Sequence, residues 1–144
     1  MNWLFALFGV LGGVAIGVQA SINGGLGKKI GAIEGSLVSF AIGTVVLLLL
    51  FIFFGKGQIL SVGSVPKWQL TGGLLGAFYI FISILIVPKI GVATSLITVI
   101  VGQVAMGTLI DHFGLFGGRQ IPVDWQRVLA IVLLCAALYF FYRD

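Results

Sequence analysis

Apolar residues along this chain do not alternate with polar ones; they run on without a break. Charge-free stretches cover Met1–Gly27, Gly35–Gly55, Trp68–Pro88, Ile90–Ile110 and Val128–Tyr142. The three middle stretches hold 21 residues each. A helix of that length is about 32 Å long, which matches a hydrocarbon core of about 30 Å. The last stretch is shorter, but Arg127 and Arg143 flank it and can snorkel, with Trp125 and Tyr142 placed for the two interfaces. The pattern predicts an all-α polytopic membrane protein with five transmembrane helices, over roughly 3–23, 33–54, 68–87, 91–111 and 126–142, in a single membrane domain over 1–144. Barrel strands would show alternating polarity in segments of about ten residues, and no such segment occurs.

Composition agrees. Of 144 residues, 60% are hydrophobic and 8% charged, and the mean hydropathy is +1.22. A soluble domain carries about 25% charged residues, so the solvent of this surface is lipid. The 22 glycines lie mostly within the apolar runs, where they let helix backbones approach closely. The net charge of +4 is spread singly or in pairs near span ends, as interfacial anchors, and no basic patch points to nucleic acid. The first run has no basic residue before it and no clear A-x-A site after it, so it reads as a retained span rather than a cleaved leader. Cys135 is alone, so it reads as a small hydrophobe with neither an internal disulfide nor a metal partner.

Five spans would put the chain ends on opposite sides. The side of the N-terminus then carries Lys56, Lys67, Arg119 and Arg127, and the other carries Lys28, Lys29, Lys89 and Arg143. The positive-inside bias is therefore zero. Two readings stand: a single orientation set by other means, or dual topology with copies pairing antiparallel. The chain also resembles itself at an offset of 60. Gly12-Gly13 meets Gly72-Gly73, and "KIG" at 29–31 meets "KIG" at 89–91. After a one-residue slip, "SLVS" at 36–39 meets "SLIT" at 95–98. This is the pattern of a duplicated hairpin, 12–44 and 72–103, although glycine-rich apolar sequence also aligns with itself by chance.

Polar residues inside the spans fall on stripes. Gln19 and Asn23 lie one turn apart on one face of helix 1, and at offset 60 they fall on Tyr79 and Ser83 of helix 3. Helix 4 carries Gln103 beside Gly102. Ser36, Ser39, Ser95 and Thr98 are expected to bond their own helix four residues back or to seal helix packing. An amide left unbonded in hydrocarbon costs several kcal/mol. Gln19, Asn23 and Gln103, with Tyr79 and Ser83, are therefore expected to line a polar cavity and hold a solute by hydrogen bonds. Gly12, Gly13, Gly17, Gly72, Gly73 and Gly76 are expected to let helices 1 and 3 pack closely and slide. Glu34 reads either as an interfacial carboxylate at a helix start, paired with Lys28 or Lys29, or as a proton-coupling acid. Asp111 and His112 close helix 4 beside a Gly/Pro loop and read as solvated. With one histidine and no nucleophile–base set or phosphate loop, the sequence predicts no enzyme, no metal and no cofactor.

Four stretches carry a family resemblance: "GGVAIGVQASINGGLGKKIG", "GSLVSFAIGTVVLL", "PKWQLTGGLLGAFYIF" and "PKIGVATSLITVIVGQVAMGTLIDHFGLFG". Together they resemble the YdcZ-type inner-membrane exporters, a five-helix branch of the drug/metabolite transporter superfamily. The resemblance implies a bacterial inner-membrane location and a half-transporter that pairs, often antiparallel, into a ten-helix unit. It also implies helices 1–4 around a central cavity with helix 5 outside. Related four-helix exporters carry a midspan glutamate on helix 1, and this chain has only neutral residues at that depth. The expected function is secondary transport of a small metabolite or organic solute by alternating access, in a homodimer or a heterodimer with a sister subunit. The alternatives are a non-transporting membrane scaffold and a passive channel.

Overall fold

A computed structural model describes residues 3–143, and every regular element among them is helical. The five long helices are α1 (Trp3–Ile30), α2 (Ala32–Phe54), α3 (Gly72–Ile90), α4 (Val92–Phe113) and α5 (Trp125–Tyr142). Short 3-10 turns occupy Ile59–Ser64, Lys67–Thr71 and Leu115–Gly117. With the turn at Lys67–Thr71 joined to α3, all five have the length and apolar composition to cross a membrane. The chain forms two compact units, one running to Lys89 and one beginning at Ile90.

In the first unit, α1 runs seven residues past its expected end, through "GGLGKKI". In water those glycines would stop a helix. Here two of the three, Gly24 and Gly27, lie where neighbouring helices touch. A Cβ added at Gly24 would lie 2.7 Å from Val87 Cγ1, and one at Gly27 would overlap Ile84 Cγ2. A Cβ at Gly35 would lie 3.4 Å from the Gly27 backbone and 3.5 Å from Ile84 Cδ1. Ile84 is thus a knob in a socket floored by Gly27 and Gly35. All the buried residues described in this unit lie toward that end: Ala20, Asn23 and Gly24, then Gly35, then Ile80, Ser83, Ile84 and Val87.

Within the chain, the close approaches fall elsewhere than on the glycines expected to provide them. A Cβ at Gly12, Gly13, Gly72 or Gly73 meets no atom within 4 Å, and one at Gly76 meets Phe40 at an ordinary 3.5 Å. Gly17 is half-buried. The physical reason is that, within this unit, α1, α2 and α3 pack tightly near the α1–α2 turn, so the first turns of α1 and α3 are not brought into close contact.

That turn is a single residue. Gly31 has φ +102° and ψ 155°, and the same break recurs sixty residues on at Gly91, with φ +81° and ψ 165°. This backbone region is open essentially to glycine alone, which explains the glycine in each "KIG". In each case the glycine carbonyl accepts the first bond of the next helix, from Gly35 N at 2.9 Å and from Ser95 N at 3.2 Å.

In the second unit, α4 and α5 pair as a hairpin. Gly114, with φ +60°, caps α4 in the left-handed conformation, and its N–H donates to the carbonyl of Asp111 at 3.3 Å. The connecting loop folds back on that cap: Ile121 N donates to the Asp111 carbonyl at 2.8 Å, and Gln120 Nε2 to the His112 carbonyl at 3.1 Å.

Candidate solute cavity

α2 presents Ser39, Phe40, Gly43, Thr44 and Leu47 on one face, at the three- and four-residue spacings that align along a helix. α1 faces it with Ile16 and Gln19, and α3 with Gly76, Tyr79 and Ile80. Gly43 and Gly76 contribute no side chain, and a recess of about 360 Å³ results. It is partly open rather than enclosed, and its wall is mostly hydrocarbon. It lies beyond the buried layer at the α1–α2 turn, with Ile80 belonging to both.

The wall holds four polar side chains. The Thr44 hydroxyl donates to the Phe40 carbonyl at 2.8 Å, which uses its one donor and leaves it an acceptor only. Among the described residues, Gln19, Ser39 and Tyr79 have no hydrogen-bond partner in the chain, so their donors and acceptors are free for whatever fills the recess. Among the described residues, no ionisable side chain other than the Tyr79 phenol lines it. Glu34 comes five residues before Ser39, about 7.5 Å along the axis. It is exposed, in no ion pair among the described residues, and its carboxylate lies over Gly31.

The two amides of helix 1 therefore differ in their surroundings. Gln19 is exposed and lines the recess. Asn23, one turn on, is 5% exposed, and its Nδ2 is buried with no partner. Tyr79 lines the recess, whereas Ser83 is buried and does not. Gln103 is exposed on α4, in the second unit. Ser36, Ser95 and Thr98 return their hydroxyls to the carbonyls four residues back, at 2.7, 2.6 and 2.8 Å. Sequence reasoning grouped Ser39 with them as a packing residue and passed over Thr44. The available signal was Ser39 one turn from Gly43, a small-residue pair that leaves space beside a hydroxyl.

Asp111 and His112 are not simply solvated. Asp111 Oδ2 accepts from Arg127 Nη1 at 3.1 Å, between half-exposed side chains. His112 Nδ1 accepts from Val123 N at 3.3 Å, and Asp124 caps α5 by accepting from Arg127 N at 2.8 Å. These groups tie the α4–α5 loop together. Among the described residues, no three His, Cys, Asp or Glu side chains are grouped as a metal site.

A family model described as "Putative inner membrane exporter, YdcZ" matches residues 4–140. Over 59 residues the chain is 37% identical to "Inner membrane protein YdcZ" of Escherichia coli (strain K12). That stretch is 41% of this chain and 38% of the E. coli protein, so the chain covers well under half of that relative. No solved structure matches it. With a family match over nearly its whole length and five helices able to span a bilayer, this multi-pass membrane protein belongs to the YdcZ family of inner-membrane proteins.

Proposed function

We propose that the chain is a half-transporter that exports a small metabolite or organic solute by alternating access, working as a dimer. The observation that carries the reading is the recess of α1–α3, where an unpaired amide, hydroxyl and phenol stand in an apolar wall beside a glycine-packed closure. A partly open binding site of this kind, closed by packed helices toward one end, is what alternating access needs in one of its two states. Pairing is supported by how little the chain buries alone: the share of each span sequestered within the chain ranges from 0% to 22%. The balanced Lys/Arg count supports an antiparallel pair of two orientations. Export as the direction follows the family's description.

Gln19→Leu and Tyr79→Phe in proteoliposomes test the reading. A transporter loses saturable solute flux while the purified protein keeps its helicity and oligomeric size. If no solute in a broad screen shows saturable, counterflow-capable flux, the transporter reading fails. The sealed Asn23 favours a second reading, in which the polar stripe is a dry seam of a membrane scaffold. That reading predicts a weakened assembly in Asn23→Leu and no flux to lose.

A further inference from the structure

The wall of the recess also constrains what it can hold. We infer that the solute taken by this site is uncharged: a small, mostly apolar molecule carrying one or two groups that both donate and accept hydrogen bonds, such as an amide or a hydroxyl. The inference rests on the transporter reading for its purpose, but it is tested by binding alone.

Among the described residues, the lining contains no carboxylate, ammonium, guanidinium or imidazole group. Along α1 and α3, Lys28 and Lys89 each lie nine residues from the nearest lining residue, about 13 Å away; Lys56 and Lys67 lie outside α2 and α3; and Glu34 on α2 lies at about 7.5 Å. An ion entering the recess would shed its water against hydrocarbon and meet no counter-charge, a penalty of several kcal/mol in real proteins. Phe40 and Tyr79 put aromatic rings in the wall, but even a cation–π contact returns only about 0.5–2 kcal/mol. A wholly apolar solute fails for the opposite reason, since it would bury Gln19, Ser39 and Tyr79 with their bonds unmade. Gln19 supplies two donor hydrogens and an acceptor, and the two hydroxyls can each do both, so the partner that satisfies them has mixed polarity. At about 360 Å³ the recess lies near the small end of the range for small-molecule sites, about 300–1,000 Å³.

The test uses the full chain in lipid nanodiscs and three probes of similar size: 3-phenylpropanamide, phenyltrimethylammonium and benzenesulfonate. Saturation-transfer NMR titrations give their affinities. The amide is expected to bind saturably, with both ions at least about tenfold weaker. Gln19→Leu and Tyr79→Phe should each weaken the amide by roughly three- to tenfold, as expected for one lost hydrogen bond. Gln19→Glu, nearly the same in shape, should shift the preference toward phenyltrimethylammonium, with the circular-dichroism spectrum unchanged. Equal or tighter binding of either ion by the unaltered chain overturns the inference. So does amide binding that none of the three variants changes, since that is the behaviour of a lipid-filled groove. Absence of saturable amide binding overturns it as well. Saturable amide binding without counterflow in proteoliposomes leaves the solute class standing and removes the transporter reading.

Discussion

Ile84 against Gly27 offers a direct test of the convergence of α1, α2 and α3. A methyl at position 27 would overlap Ile84 Cγ2, the branch of a side chain that is stiff at χ1 and cannot easily turn away. Overpacking of this kind costs about 1–3 kcal/mol, offset by about 1 kcal/mol because alanine favours helix over glycine. Gly27→Ala should therefore destabilise by up to about 2 kcal/mol. Ile84→Ala removes Cγ2 and Cδ1 from the socket and should cost about 2–5 kcal/mol. In the double variant the new methyl enters the space that Ile84 vacated, so the clash is gone and part of the cavity is filled. The helix-propensity term cancels in the cycle. The coupling should be favourable by about 1–2 kcal/mol, within the range for touching residues. The assay is equilibrium unfolding in mixed micelles titrated with SDS, followed by circular dichroism. Gly12→Ala serves as the control, since its Cβ meets no atom within 4 Å; with only the helix-propensity gain in play it should raise stability by up to about 1 kcal/mol. Additivity of the two substitutions within about 0.5 kcal/mol would refute the socket.

Four further outcomes are expected from the same structure. Gly91→Ala, with no neighbour to strike but a backbone angle closed to alanine, should cost about 1–3 kcal/mol, read in the same unfolding assay. Asn23→Leu removes a buried donor that has no partner, and should leave the fold unchanged or up to about 2 kcal/mol more stable; a marked loss of stability would mean the amide is bonded in the working assembly. Asp124→Ala removes the α5 N-cap and should cost about 1 kcal/mol, seen as faster backbone hydrogen exchange at 125–128. Asp111→Asn breaks a half-exposed ion pair and should cost less than about 1 kcal/mol, with most of the difference lost in high salt.

Much of this architecture was legible in the sequence because lipid leaves the backbone few choices. Without water to bond N–H and C=O groups, an apolar run of about 20 residues must be a helix, so the number, type and approximate limits of the spans follow from hydrophobicity alone. The i−4 bonds of Ser36, Ser95 and Thr98 were equally local and were foreseen. The glycine breaks at "KIG" were not, since helix 1 was expected to end at residue 23; only once the reversal is known to take a single residue does the glycine follow, because glycine alone takes that angle freely.

Tertiary structure decided what helical periodicity cannot carry, namely which end of each helix meets its neighbours. Gln19 and Asn23 are indistinguishable by residue type and spacing, yet one stands in a recess and the other is sealed, because the helices converge between them and the α1–α2 turn. The same convergence brings Gly24, Gly27 and Gly35 into contact with their neighbours and leaves Gly12, Gly13, Gly72 and Gly73 facing open space. Periodicity assigns a residue to a face; where along its length that face is covered depends on the crossing of three helices, and hence on side chains far apart in the chain.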